Sequence, residues 1–413
     1  MISFKKVSIL AANQSLVFLC ITTALMTTGQ GISVPMVPLF ADTFGITAAK
    51  IGLAVSAFGF ARFITNIPAA FISDRMGRRS VLIGGPVIAA IGNTLSGYTA
   101  SLMPLLFFRF IAGVGSAAFI TGGIAFISDI SRIENRARMM SVFQVSFLVG
   151  ISIGPVLGGV IAELFGIRAP FLAIGVVSIL SALCAFFWVP ETRVLLTSQP
   201  TTEKTETSLV EHSNSLLKGY GFLFKKDLLL ISLAFAGTFF TRGGAFFTLL
   251  PLKGSRTLNM SEGQVGGFLT LPSVFSLFML PFAGIFSDKY GRKTVIVPGI
   301  SLFAVSLFVL GVSVDWIVFG AGVILYGIAQ GLEGPAPVAY VSDVSHVDKQ
   351  AVAQSFVRSM GDLSLFSAPP IMGLMTDLFS IDITLYANAI IMLSIAIIFL
   401  VFAREPIQKQ TNT

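Results

Sequence analysis

Apolar residues run along this chain in long stretches separated by short clusters of charge, Gly and Pro. Twelve stretches approach the 20 or so residues that a helix needs to cross a hydrocarbon core of about 30 Å. They occupy roughly 7–30, 51–72, 80–98, 102–127, 139–162, 170–189, 228–250, 263–285, 294–314, 316–341, 353–375 and 383–403. Six fall in each half, and a polar stretch rich in Thr, Ser, Glu and Lys, 191–226, lies between them. A segment of that composition buries no core, so it reads as a partly disordered linker. The pattern predicts an all-α integral membrane protein with a six-helix bundle in 1–190, a linker in 191–226 and a second six-helix bundle in 227–413.

The two halves carry the same signals in the same order. Ser73-Asp74-Arg75-Met76-Gly77-Arg78-Arg79 returns 214 positions later as Ser287-Asp288-Lys289-Tyr290-Gly291-Arg292-Lys293. At the same offset Ser128-Asp129 recurs as Ser342-Asp343, Pro155 as Pro369, Gly159 as Gly373 and Phe165 as Phe379. One offset holding through segments of matching hydropathy means a duplicated membrane domain, the way many secondary transporters are built. The bundles are therefore expected to be related by a pseudo-two-fold axis.

Composition agrees, with 54% apolar residues, 11% charged residues and a mean hydropathy of +0.87. Soluble domains lie far from these values. The first run, preceded by Lys5 and Lys6, is too long for a signal core and lacks Ala-x-Ala cleavage chemistry, so it is expected to be retained. Cys20 and Cys184 fall inside spans and suggest no disulfide framework. His212 and His346 are isolated, which argues against a metal site.

The net charge of +7 is a topology signal rather than a nucleic-acid footprint. Lys and Arg gather in alternate loops: Arg75, Arg78 and Arg79; Arg132, Arg136 and Arg138; Arg193, Lys204, Lys218, Lys225 and Lys226; Lys289, Arg292 and Lys293; Lys349. The opposite loops carry only Lys50, Arg168, Lys253 and Arg256. By the positive-inside rule the rich loops and both termini face the cytoplasm. Lean loops and a short N-terminus point to a prokaryotic inner membrane.

The twelve spans, the repeat and the Asp-Arg-x-Gly-Arg-Arg loop resemble the major facilitator superfamily over essentially the whole chain. The loop is similar to the family's motif A, usually written Gly-x-Leu-Ala-Asp-Arg-x-Gly-Arg-Lys. Its leading Gly is Gly284 in the second copy and Ala70 in the first, still small enough for helices to approach. An acid where the second span leaves the membrane can interact with a helix N-terminus or with Arg78 across the short loop. The resemblance implies that Asp74, Arg78 and Asp129 hold the halves together in the outward-open state. Arg75, Gly77 and Arg79, and in the second copy Asp288, Gly291 and Arg292, belong to the same latch. The plainer reading is that the basic residues only set topology.

Arg109-Phe110-Ile111-Ala112-Gly113-Val114-Gly115 resembles motif B, and the segment containing Gly150, Gly154, Pro155, Gly158 and Gly159 resembles motif C of drug:proton antiporters. Where that pattern has a further Gly, nine positions before Gly150, this chain has Ser141. Small residues allow close helix approach and Pro155 bends the span, which suits rocking; simple close packing is the competing reading.

Ionisable groups at depth cost about 2.5–3.5 kcal/mol each on insertion scales, so each needs a reason. They are Arg62, Arg109, Arg242, Glu333, Arg358 and Asp362. Arg358 and Asp362 are four apart and share a helix face, where they could pair. The surplus of Arg points to an electropositive cavity for an anionic or zwitterionic organic molecule, walled by aromatics such as Phe246, with Gln30 as the deep polar group of the first span. Proton coupling needs a titratable group, and Glu333, with Asp362 as the alternative, is the candidate.

The expected function is a secondary active, proton-coupled exporter of a small organic, anionic or amphiphilic molecule working by alternating access. It needs no cofactor beyond the proton gradient and no metal, its partners are substrate, protons and lipid, and it is expected to act as a monomer. The alternative is an uptake symporter or facilitator with the same fold. An enzyme is disfavoured, since no catalytic constellation or phosphate-binding loop is present.

Overall fold

Every long apolar stretch becomes a helix, as it must where the solvent offers no partner for a backbone N–H or C=O. The computed structural model describes residues 2–131, 135–192, 220–334, 336–346 and 349–406. Residues 193–219 of the expected linker, and with them Arg193, Lys204, His212 and Lys218, lie outside the described residues, as does Arg132.

The first half forms α1 (Ile2–Asp42), α2 (Ala48–Met76), α3 (Arg78–Ser96), α4 (Leu102–Ile130), α5 (Arg136–Phe165) and α6 (Ala169–Trp188). The second forms α7, which runs as Lys226–Thr241, a π-helical stretch Arg242–Leu249 and a last piece Leu250–Arg256, followed by α8 (Glu262–Tyr290) and α9 (Lys293–Val312). Then come α10 in two pieces (Trp316–Glu333 and Ala336–Val344), α11 (Gln350–Leu378) and α12 (Ile381–Phe402).

Ten of these are long and apolar enough to cross a membrane. The exceptions are α3, diluted by Arg79, Asn93 and its Gly and Pro residues, and α11, which carries Arg358 and Asp362. The first helix also outruns its expected end at residue 30 and continues to Asp42 through Pro35 and Pro38. Proline is tolerated in a spanning helix where neighbouring groups satisfy the freed carbonyl, so the Gly- and Pro-containing stretch after Gln30 does not end it.

Two compact units result. One comprises Met1–Pro200 together with Gly254–Thr270, the other Thr201–Lys253 together with Leu271–Thr413. In the first, α1 packs on α5 and α6, and α3 on α4 and α6. In the second the repeat reproduces this, α7 packing on α11 and α12, and α9 on α10 and α12.

The core of the first unit gathers Leu19, Met26, Leu82, Phe119, Phe126, Met139 and Phe143, all buried. Large apolar side chains also point outward, Ile67 at 71% exposure, Met103 at 74% and Phe165 at 75%. Their number would be intolerable in water and marks the lipid-facing surface. Hydroxyls in α1 fold back on their own helix: Thr23 Oγ1 donates to the Leu19 carbonyl at 2.7 Å and Thr27 Oγ1 to that of Thr23 at 2.8 Å.

Candidate functional site

The duplicated loops are built alike in both units. Gly77, between α2 and α3, has φ 95° and ψ 156°, a backbone region essentially reserved for glycine. That turn aims the first N–H groups of α3 at Glu191, whose Oε1 accepts from Arg78 N at 3.0 Å and whose Oε2 accepts from Arg79 N at 3.2 Å. A carboxylate on a helix N-terminus meets both the unpaired donors and the positive end of the helix dipole. Arg78 reaches outward from the same turn. Its guanidinium donates to Asp74 and to Ser73 Oγ, and its Nε donates to Asp129 Oδ2 at 2.9 Å. Thr192 Oγ1 donates to the same oxygen at 2.8 Å.

In the second unit Gly291 has φ 103°, and Glu405 accepts from Arg292 N and Lys293 N, both at 2.9 Å. Arg292 donates to Asp288, to Ser287 Oγ and, at 2.8 Å, to Asp343 Oδ2. Burial opposes the charge on Arg292, but its bonds to Asp343 and Asp288 outweigh that and lift its pKa above the usual guanidinium value. Glu191 and Glu405 escaped the sequence reading although they are themselves 214 apart, because they lie past the last span of each half. Arg75 is exposed, whereas Arg79 lies 5.4 Å over the Phe186 ring. The leading position of the loop is not a close approach: Ala70 is exposed, and a Cβ on Gly284 would meet nothing within 4 Å.

The motif on α5 is a packing face. Gly154 lies so close to α1 that a Cβ there would meet the Gly31 carbonyl carbon at 2.5 Å, and one on Gly158 would meet the Ile32 carbonyl at 3.0 Å. Gly150 sits equally tightly against Ala24 and Thr27. Gly159 packs on the segment grouped with this unit, where a Cβ would meet the Glu262 carbonyl at 2.5 Å. In the same unit Arg256 pairs with Asp42.

Inside the first unit Arg62 and Arg109 share one ring, lying 6.0 Å and 4.7 Å from the centroid of Phe58. Arg109 is buried on α4; its Nη1 donates to Asn93 Oδ1 at 3.2 Å while its Nε has no hydrogen-bond partner. Gln30 is held separately, its Nε2 donating to Ser116 Oγ at 2.9 Å.

Inside the second unit the expected Arg242, Phe246 and Glu333 gather around Tyr326, which the sequence reading missed. Phe246 stacks on the Tyr326 ring at 5.1 Å and Phe303 meets it edge-on at 4.9 Å. Arg242 and Glu333 both lie within electrostatic reach of the Tyr326 hydroxyl, which is buried and makes no hydrogen bond. Glu333, also buried, accepts from Thr238 Oγ1 at 2.7 Å. Arg242 begins the π-helical stretch of α7 and stays partly exposed, 5.7 Å over Phe247. Single π turns recur at functional sites because they re-aim side chains without breaking a helix. Pro335, next to this cluster in sequence, lies outside the described residues.

Two expectations are corrected by these coordinates. Arg358 makes no ion pair with Asp362, and its side chain turns to line a cavity instead. Sharing a face does not force two long side chains together when water or a cavity is available to one of them. Lys253, read as a loop charge, is fully buried; its Nζ donates to the Gly311 carbonyl at 3.0 Å and pairs with Asp382 at 2.5 Å. Among the described residues no group of three or more His, Cys, Asp or Glu side chains could hold a metal.

A duplicated six-helix unit, an apolar outer surface and buried charges set on the helices define an integral membrane protein of the transporter class. The profile for the Major Facilitator Superfamily matches residues 19–268 and 245–413, and the chain belongs to that family. It is a transporter and not an enzyme. It is 23% identical over 355 residues to Multidrug resistance protein 2 of Bacillus subtilis, covering 85% of this chain and 86% of the relative. It is 26% identical over 359 residues to the class B Tetracycline resistance protein of Escherichia coli, covering 84% and 85%. Among solved structures, a bacterial homologue of the human lysosomal transporter Spinster, in an inward-facing and occupied conformation, superimposes with a TM-score of 0.77 at 16% identity over 94% of this chain and 95% of that one.

Proposed function

We propose that this transporter exports a small amphiphilic organic molecule, anionic at the end that binds, in exchange for protons. The observation that supports it most is the cluster in the second unit: a partly exposed Arg242 in front of a buried Glu333 and a buried, unbonded Tyr326 hydroxyl. A carboxyl group held away from water is one that a proton can neutralise at little cost, and an adjacent guanidinium attracts an anionic group. Arg62 and Arg109, sharing Phe58, supply further positive charge in the first unit. Gln30 and Phe246 complete the proposed substrate set, and Asp362 is the secondary proton site.

Export is favoured by the two relatives, whose names record resistance to drugs. In this reading the loops bearing Arg78 and Arg292 face the cytoplasm of a prokaryotic cell, their carboxylate cages act as latches during alternating access, and the monomer is the working unit.

The test is proton flux in proteoliposomes loaded with pyranine, challenged in turn with organic anions, zwitterions and lipophilic cations. An anion is expected to trigger counterflow of protons in the wild type and none in Glu333→Gln. Undiminished flux in Glu333→Gln, or flux triggered only by cations, sinks the assignment. Co-directional flux of proton and anion selects the uptake reading.

A further inference from the structure

A second polar site lies outside the Arg242 cluster. A cavity of about 310 Å³ in the second unit is lined by Gln354, Ser355 and Arg358 of α11, with Phe235, Pro337, Val338 and Val357 as its apolar wall. The polar groups fall at spacings of one and four along one helix, so they share a face. Gln354 is locked in place, its Nε2 donating to the Val338 carbonyl at 2.7 Å and to Ser342 Oγ at 3.1 Å. Arg358 is exposed and makes neither an ion pair nor a hydrogen bond to another described residue.

Position adds to this. Arg358 lies eight residues into α11, about 12 Å from the start of that helix at 1.5 Å per residue. Pro337 and Val338, on the second piece of α10, follow Glu333 by four and five residues, about 6–8 Å along the axis. The cavity therefore sits between the buried Glu333 cluster and the end of the unit that carries Asp343.

We propose that this cavity is a capture site for the anionic head of an amphiphile, with Arg358 as the charge that holds it and Phe235, Val338 and Val357 as the bed for its apolar body. A guanidinium with its donors uncommitted, in a cavity of this size with an apolar floor, is matched by a single carboxylate or phosphate head on a short hydrocarbon. Such a head is carried by a free organic acid or by an acidic phospholipid. The inference rests on the export reading only for the direction in which a captured molecule travels.

The probe is 4-phenylbutyrate, with 4-phenylbutylamine and 4-phenylbutanol as cationic and neutral counterparts, titrated into the purified full-length protein while thermal stability is followed. Phenylbutyrate is expected to stabilise the wild type saturably. Arg358→Gln should weaken its apparent affinity by about tenfold or more, the worth of a hydrogen bond to a charged group, while Arg358→Lys keeps most of it. A parallel series compares nanodiscs of phosphatidylcholine with and without phosphatidylglycerol. Arg358-dependent stabilisation by phosphatidylglycerol that phenylbutyrate does not displace assigns the site to a lipid headgroup; displacement assigns it to a free acid. Equal shifts from all three probes, or shifts unchanged in Arg358→Gln, overturn the site. Glu333→Gln should retain the phenylbutyrate shift, so loss of proton coupling and loss of capture are separable.

Discussion

Replacing Gly77 with Ala attacks the loop cage through two effects that can be separated. The backbone sits at φ 95° and ψ 156°, where a side chain costs about 1–3 kcal/mol. The new Cβ would also meet the Glu191 carboxyl carbon at 2.6 Å, so that carboxylate must withdraw from Arg78 N and Arg79 N. Both amides sit where water can replace the lost acceptor, so the pair is worth about 1–2 kcal/mol rather than the fully buried figure. The sum, about 3 kcal/mol, corresponds to a fall of roughly 6–12 °C in the melting temperature of a unit of this size. Differential scanning fluorimetry of the detergent-purified protein measures it.

The cycle with Glu191→Ala carries the argument. Glu191→Ala alone should lose only the hydrogen-bond part, and adding it to Gly77→Ala should cost nothing more, because the carboxylate has already been displaced. An additive double variant, or a Gly77→Ala protein melting within about 2 °C of the wild type, refutes the reasoning. Gly291→Ala repeats the test, since its Cβ would meet the Glu405 carboxyl carbon at 2.6 Å.

Gly154→Ala places a methyl against Gly31 and forces α1 and α5 apart; a loss of about 2–3 kcal/mol, read as a drop in folded yield on fluorescence size exclusion, is expected. At the buried pair on α7 and α12 the two partners are unequal. Asp382→Asn leaves a fully buried ammonium without its counter-ion and should cost about 3–5 kcal/mol, whereas Lys253→Met removes the charge itself and should cost far less. Melting temperatures falling in the opposite order would contradict the buried placement of Lys253. Tyr326→Phe deletes a buried hydroxyl that makes no hydrogen bond, so it should leave the melting temperature unchanged or raise it by a few degrees, while slowing the proton counterflow if the hydroxyl serves the substrate. A marked loss of stability would mean that the hydroxyl already has a structural partner.

What the sequence made legible follows from which interactions are local or repeated. Hydropathy exposes helices because the bilayer dictates their length, and the constant offset exposes the loop cages because each copy advertises the other. The same offset carries Glu191 onto Glu405, yet both stood where polar composition suggested linker and tail. Pairings between distant helices had no such signal. Nothing in the neighbourhood of Lys253 announces Asp382, 129 residues away, or the carbonyl of Gly311. The π-helical turn after Thr241 was equally hidden, since it depends on how Gly243 and Gly244 are packed, a Cβ on Gly243 meeting the Leu365 carbonyl at 2.5 Å.

The offset also separates machinery from chemistry. Arg78, Asp129 and Glu191 map onto Arg292, Asp343 and Glu405, with the hydrogen bonds reproduced. The buried groups do not map: Arg109 falls on Val323, Tyr326 on Ala112, Glu333 on Phe119, Arg242 on Thr28, and Arg358 on Gln144. A duplication begins with identical halves, so a charge kept in one copy and absent from the other has diverged against a steep insertion cost. Loop cages that both units share serve what both units do, which is to fold and to hold the loop between two helices. The charges unique to one unit have no counterpart in that shared task, and Arg242, Tyr326, Glu333 and Arg358 all fall in the second.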